Sequence, residues 1–299
     1  MNAIAQSPYS GYLDLDRTRV FYEVEGAGTE TVVLLHGGGP GASSRSNFEH
    51  NLPALSVQRR LLLVDLPGYG RSGPATQASR ESAFGYYAGV VAGLMDHIGV
   101  GRAHFIGNSL GGGVAFRFAE MFPERTGKLV LLGPAGVSYP VFSPSGRIHT
   151  GLGERSAEVL RNPSEESMRA FLEEMVYDRK RITDGLVAER LEALTALLSL
   201  DNRDDPASPI FDMWLGAEDG VVKFNRADFE SWRTCPRVTA PTLLIWGRDD
   251  HFNPVDGALY PLRYMPNAQL HVFGRCGHWA QVEHQAEFDA IILDFLAEG

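Results

Sequence analysis

Unbroken apolar runs, not alternating ones, mark the strands of this chain. Thr31-Val32-Val33-Leu34-Leu35, Arg60-Leu61-Leu62-Leu63-Val64, Ala103-His104-Phe105-Ile106 and Lys128-Leu129-Val130-Leu131-Leu132 are short, rich in branched side chains and closed by glycine or proline. Such runs predict strands covered on both faces. Val20 to Val24 alternates enough for a further strand, whereas residues 1–11, polar and holding Pro8 and Gly11, read as a loose leader. Between 81 and 98, Phe84, Tyr87, Ala88, Val91, Leu94, Met95 and Ile98 fall on one helical stripe. Strands alternating with helices predict an α/β architecture with a mostly parallel, doubly wound sheet.

The alternation stops near residue 134. Residues 135–153 are rich in Gly, Pro and Ser, and two helical patterns follow (Met168 to Val176, Leu186 to Leu198). A long loop is expected over 201–223. Buried-strand character returns only at Pro241-Thr242-Leu243-Leu244-Ile245-Trp246, then at Gln269-Leu270-His271-Val272-Phe273, before a closing helix through Phe288, Ile292 and Phe295. The expected division is a core of residues 1–134 and 236–299, with 135–235 inserted as a helical cap.

Composition narrows the function classes. A formal net charge of −10 argues against a nucleic acid or an anionic membrane as partner, since both select a basic face. No apolar run approaches the ~18 residues of a membrane helix, and the first ten residues lack a signal-peptide pattern. The two cysteines, Cys235 and Cys276, are far apart and imply no disulfide framework. A cytoplasmic enzyme or binding protein is expected. No His/Cys cluster has metal-ligand spacing, and neither a metal nor an organic cofactor is expected.

The candidate chemistry sits at strand ends. Gly107-Asn108-Ser109-Leu110-Gly111 follows a strand and opens a helix, the context of a nucleophile elbow, in which flanking glycines allow a turn too tight for a Cβ. A serine hydroxyl needs a base, and the base an orienting carboxylate. Trp246-Gly247-Arg248-Asp249-Asp250 and Gly274-Arg275-Cys276-Gly277-His278 follow the last two strands, in the chain order Ser, Asp, His. His278 is the expected base; the G-x-x-D spacing favours Asp250 over Asp249 as the acid. The backbone N–H groups of Leu110 and of Gly38, in His36-Gly37-Gly38-Gly39-Pro40-Gly41, are the expected oxyanion donors. A phosphate cradle fails because no G-x-x-x-x-G-K-[ST] is present.

These four motifs, with Asn108 before the serine and Trp279 after the histidine, resemble the meta-cleavage product hydrolases over roughly residues 30–296. The resemblance implies the α/β-hydrolase fold and hydrolytic cleavage of a C–C bond in ring-fission products of aromatic or steroid catabolism. It implies a small anionic dienoate substrate, with Gly39, Asn47, Asn108, Arg190 and Trp279 around it and Arg190 receiving the carboxylate. It also implies a homodimer or larger homo-oligomer. From spacing alone, Arg190 reads as a solvated helix arginine beside Glu189 and Glu192, and Trp279 equally as core packing. Arg45 and Lys180 depart from the family pattern and raise a second anionic group on the substrate as a further expectation. Rival readings are an esterase or iminopeptidase-like amidase on the same scaffold, and a non-enzymatic small-molecule receptor. A dehalogenase is excluded because position 109 is not a carboxylate.

Overall fold

In the computed structural model, residues 8–15, 18–75, 82–139, 150–200, 228 and 230–298 are described. The loop expected at 201–223 lies outside them. Eight strands form one sheet: β1 (Tyr9–Leu15), β2 (Thr18–Glu25), β3 (Thr31–Leu35), β4 (Arg60–Val64), β5 (Ala103–Asn108), β6 (Thr126–Leu132), β7 (Thr242–Gly247) and β8 (Ala268–Phe273). Their spatial order is β1-β2-β4-β3-β5-β6-β7-β8. The β1–β2 and β2–β4 pairs are antiparallel and all others parallel.

The apolar runs are explained by which neighbour covers each face. Val33, Leu35, Leu62, Val64, Phe105 and Leu131 pack into one core layer with helices α3 (Ala83–His97) and α4 (Leu110–Met121). Their chain neighbours Val32, Leu34, Leu61, Leu63, Ile106 and Val130 point to the opposite layer. That layer is closed by the short helices α1 (Ser44–Phe48) and α2 (Leu52–Leu55) and by the closing helix Gln285–Ala297. With both faces dry, every residue of a strand such as β3 is buried, and the period-2 signal vanishes.

The loose leader expected over residues 1–11 needs correction over its described part, residues 8–11; residues 1–7 lie outside the described residues. Tyr9–Leu15 forms β1 and pairs with β2 along its whole length, from Tyr9 opposite Val24 to Leu15 opposite Thr18. As an edge strand with one face in solvent, its exposed and half-buried residues alternate, which leaves few apolar positions to detect. Pro8 stands just before it, where a missing N–H costs no ladder bond.

Between β6 and β7 the longer described helices are α5 (Thr150–Arg161), α6 (Glu165–Glu173) and α7 (Asp184–Leu200). They share an apolar cluster of their own that includes Phe171, Leu172, Met175, Val187 and Leu194, and Trp279 of the core joins it. The sequence pattern showed α6 and α7 but not α5, whose mean hydropathy is low. Among the described residues no helix is long and apolar enough to cross a membrane.

Candidate active site

All the candidate residues except Asn47 and Arg190 come off the carboxyl ends of β3, β5, β7 and β8, the edge where open α/β sheets bind ligands. Ser109, between β5 and α4, has φ 52° and ψ −111°, a conformation that side-chain-bearing residues rarely adopt. The turn is held by its neighbours. A Cβ on Gly107 would lie 2.3 Å from the Gly111 carbonyl oxygen, and one on Gly111 would lie 2.2 Å from that of Leu35. Neither backbone can retreat, so both positions require glycine.

Asp250 and His278 meet across the next two strand ends. The His278 Nδ1–H donates to Asp250 Oδ2 at 2.6 Å, and Asp250 Oδ1 accepts from the backbone N–H groups of Phe252 and Asn253, both at 2.8 Å. Asp249, the neighbouring acid, pairs instead with Arg248 at 3.1 Å. With Nδ1 holding the proton, Nε2 carries the lone pair, and among the described residues it has no hydrogen-bond partner. The end of β6 joins this pair to the serine. Ser109 N–H donates to Leu132 O at 2.8 Å, and a Cβ on the following Gly133 would lie 3.1 Å from His278 Cε1. Ser109, Asp250 and His278 are 6%, 5% and 6% exposed. A hydroxyl, a basic imidazole nitrogen and a buried carboxylate in this order are equipped for nucleophilic attack on a carbonyl.

The glycine run after β3 lies beside this pair of strand ends. A Cβ on Gly38 would approach Leu110 Cβ to 3.3 Å, so the two expected oxyanion donors are neighbours. His36, which the sequence reading passed over, orients that run. Its Nδ1–H donates to Gly37 O at 2.7 Å, while Nε2 accepts from Leu66 N–H at 3.0 Å. In a trans peptide the N–H points opposite the C=O, so the first bond turns the Gly38 N–H away from His36. Burial holds His36 neutral, its pKa pushed down to about 3. Its place before a glycine run was the available signal.

The remaining candidates are also buried. Asn47 Oδ1 accepts from Gly37 N–H at 3.2 Å, leaving Nδ2 unpartnered, and Asn108 Oδ1 is unpartnered too. Arg190, on α7, is 1% exposed, with Nε and Nη1 lacking any partner among the described residues. Its guanidinium lies 5.3 Å from the Trp279 ring centroid. A Cβ on Gly39 would come within 3.8 Å of Arg190 Nη1 and 2.9 Å of Phe171, so the Phe171 ring packs too closely against this backbone to admit a side chain. Desolvation lowers Arg190 to a pKa of about 10, which still leaves it charged near neutral pH. The spacing-based reading of Arg190 as a solvated helix residue is overturned.

Two further residues bear on the expectation of a second substrate anion. The Arg45 guanidinium is engaged by Glu23 at 2.6 Å and by Glu25, so it is neutralised within the fold. Lys180 lies on an exposed one-turn helix, Arg179–Arg181. Arg45 is thus committed to ion pairs within the fold, whereas Lys180 is exposed.

The family model described as alpha/beta hydrolase fold matches residues 30–285. The chain is 38% identical to a 2-hydroxy-6-oxononadienedioate/2-hydroxy-6-oxononatrienedioate hydrolase of Pseudomonas sp, over 99% of this chain and 100% of that protein. It is 36% identical to a 2-hydroxy-6-oxo-6-phenylhexa-2,4-dienoate hydrolase of Burkholderia cepacia, over 95% and 93% of the two chains. Among solved structures it superposes on the 2-hydroxy-6-oxo-6-phenylhexa-2,4-dienoate hydrolase of Rhodococcus sp. strain RHA1 with TM-score 0.76 and 26% identity, covering 98% and 99%. A likeness in sequence and fold that runs the whole length of the chain identifies the protein as a hydrolase of the α/β-hydrolase fold family and, within it, a member of the meta-cleavage product hydrolases.

Proposed function

We propose that the protein hydrolyses a C–C bond in a vinylogous 1,5-diketone ring-fission product, with Ser109 as nucleophile, His278 as base and Asp250 as orienting acid. The observation that carries this reading is Arg190. A fully buried guanidinium with two unpartnered nitrogens is costly unless an anion joins it, and a carboxylate is the bidentate match. Trp279 supplies an aromatic face beside it, and Asn47 Nδ2 and Asn108 offer unused hydrogen-bonding capacity toward the dienoate.

In the sequence of steps, the dienol is first converted to its keto tautomer, with His278 moving the proton. Ser109 Oγ then adds to the distant ketone as its proton passes to His278 Nε2, and the oxyanion is met by Gly38 and Leu110 N–H. Collapse breaks the C–C bond, its electron pair leaving in the 2-hydroxydienoate, which takes up a proton. Water, deprotonated by His278, hydrolyses the acyl-serine and releases the carboxylic acid. An aminopeptidase-like reading would need a carboxylate to hold a substrate ammonium, the opposite charge to Arg190.

The test is the loss of dienol absorbance with a panel of ring-fission products. Bleaching with release of the carboxylic acid is expected with the wild type, and acid release is expected to be abolished by Ser109→Ala. Asp250→Asn should slow it by about 10⁴. Cleavage of a simple aryl ester with no bleaching of any dienol would overturn the C–C assignment and leave a serine esterase.

A further inference from the structure

We infer that Glu283 is a positioning residue that latches the His278 loop to the connection following α6, so that base and cap are set as one unit; the inference rests on the proposed role of His278. Glu283 closes the short helix Ala280–Glu283 and is itself buried. Its Oε1 accepts from Gly277 N–H at 2.7 Å, the residue before the base. Its Oε2 accepts from Tyr177 N–H at 2.8 Å and Asp178 N–H at 2.9 Å, both in the connection between α6 and the Arg179–Arg181 turn. One carboxylate thus gathers three backbone donors from two segments about a hundred residues apart in sequence.

Other contacts cross the same seam. His278 N–H donates to Met175 O at 2.7 Å. A Cβ on Gly277 would lie 2.8 Å from that same oxygen and 2.9 Å from Val176 Cα, so the two backbones are in direct apposition. Arg275 sits 6.0 Å over the Tyr177 ring. His278 is therefore fixed at its side chain by Asp250 and along its backbone by the cap connection. A carboxylate with two oxygens serves both segments at once, and without it the buried Gly277 N–H and the part-buried Tyr177 and Asp178 N–H groups lose their shared acceptor. A displacement of about 1 Å at a reacting group can cost on the order of 10²-fold in rate. Loss of the latch should therefore be read in the chemistry and not only in stability.

The experiment measures phosphonylation of Ser109 by a fluorophosphonate across pH, which needs the serine and its base but no dienoate. Glu283→Gln and the shorter Glu283→Asp are compared with the wild type. The control is Asp228→Asn, another buried carboxylate with three donors (Ser82 Oγ, Ala83 N–H and Phe84 N–H) at the start of α3. The expected result is labelling of folded protein slowed by about ten- to a hundredfold in either Glu283 variant, with the pH midpoint moved. In the control, the thermal midpoint falls while labelling keeps its rate and pH profile. Labelling at the wild-type rate in a folded Glu283 variant would overturn the inference, as would equal slowing in Asp228→Asn. Failure of the dienoate reading would appear elsewhere, as wild type that labels but does not bleach a dienol.

Discussion

Two buried titratable groups near the site, His36 and Asp65, have opposite effects on stability. His36 is held near 3, below its ordinary 6.5, because burial disfavours the imidazolium. Between those values the unfolded chain binds a proton that the folded chain refuses, so stability falls as pH falls. Asp65 is raised to about 6 from 3.8, again chiefly by burial, although Ser44 and Arg71 N–H donate to it. Between about 6 and 3.8 the folded chain binds the extra proton, so this group makes stability rise as pH falls. Each contributes a slope of up to about 1.4 kcal/mol per pH unit, and over the shared window they oppose one another. Asp65→Asn removes one arm. Urea unfolding at pH 4, 5 and 6 should show a steeper loss of stability on acidification in the variant than in the wild type. Parallel pH dependences would show that the two groups do not titrate as described. His36 also illustrates what a sequence hides. Its two ring nitrogens have different partners, Gly37 O and Leu66 N–H, and the second arrives from another strand end.

Among the secondary-structure elements, glycine substitutions separate close approach from mere flexibility. Gly111 lies in α4 with its would-be Cβ against the β3 backbone, whereas Gly89 lies exposed in α3 with nothing within 4 Å. Gly111→Ala should destabilise by more than about 2 kcal/mol, since neither α4 nor β3 can move without opening the sheet. Gly89→Ala should stabilise by about 0.4–1 kcal/mol, because alanine restricts the unfolded chain and fits the helix. Denaturant midpoints for the two variants test this; similar values would mean that the elbow has room for a side chain. The same contrast explains what could be read in advance. Strands β3 to β7 were legible because both of their faces are dry and their sequences are unbroken apolar runs. Strand β1 was not, because an edge strand needs few apolar residues, and α5 was not, because its polar residues outnumber its apolar ones. The elbow was legible because its geometry admits so few residues at positions 107 and 111.

Across the whole molecule, an acidic protein with net charge −10 keeps one guanidinium buried and without an ionic partner among the described residues, close to Trp279 and Gly39. Nothing in the spacing of α7 distinguished Arg190 from a solvated arginine; its burial depends on how α7 meets the loop after β3, a long-range fact. There the Arg190 carbonyl would touch any Cβ on Gly41, whose φ is +65°. Such a cation works against the fold when the site is empty. Removing an ion from water costs several kcal/mol, and replacing buried charge by apolar side chains of similar volume has stabilised proteins by about 1–4 kcal/mol. Arg190→Met should accordingly unfold at higher urea than the wild type in the absence of ligand. With a 2-hydroxydienoate, the product of the proposed reaction, added, the order should reverse or close. Ligand at a hundred times its dissociation constant stabilises the wild type by about 2.7 kcal/mol, and a variant lacking the anion's partner should gain almost nothing. If Arg190→Met is less stable than the wild type without ligand, Arg190 is a structural anchor of α7. If instead product stabilises both proteins equally, the carboxylate is held elsewhere and the charge of Arg190 has another use. A more stable variant that no longer responds to product would identify the buried cation as a stability cost retained for capturing an anion, in a protein whose overall charge repels one.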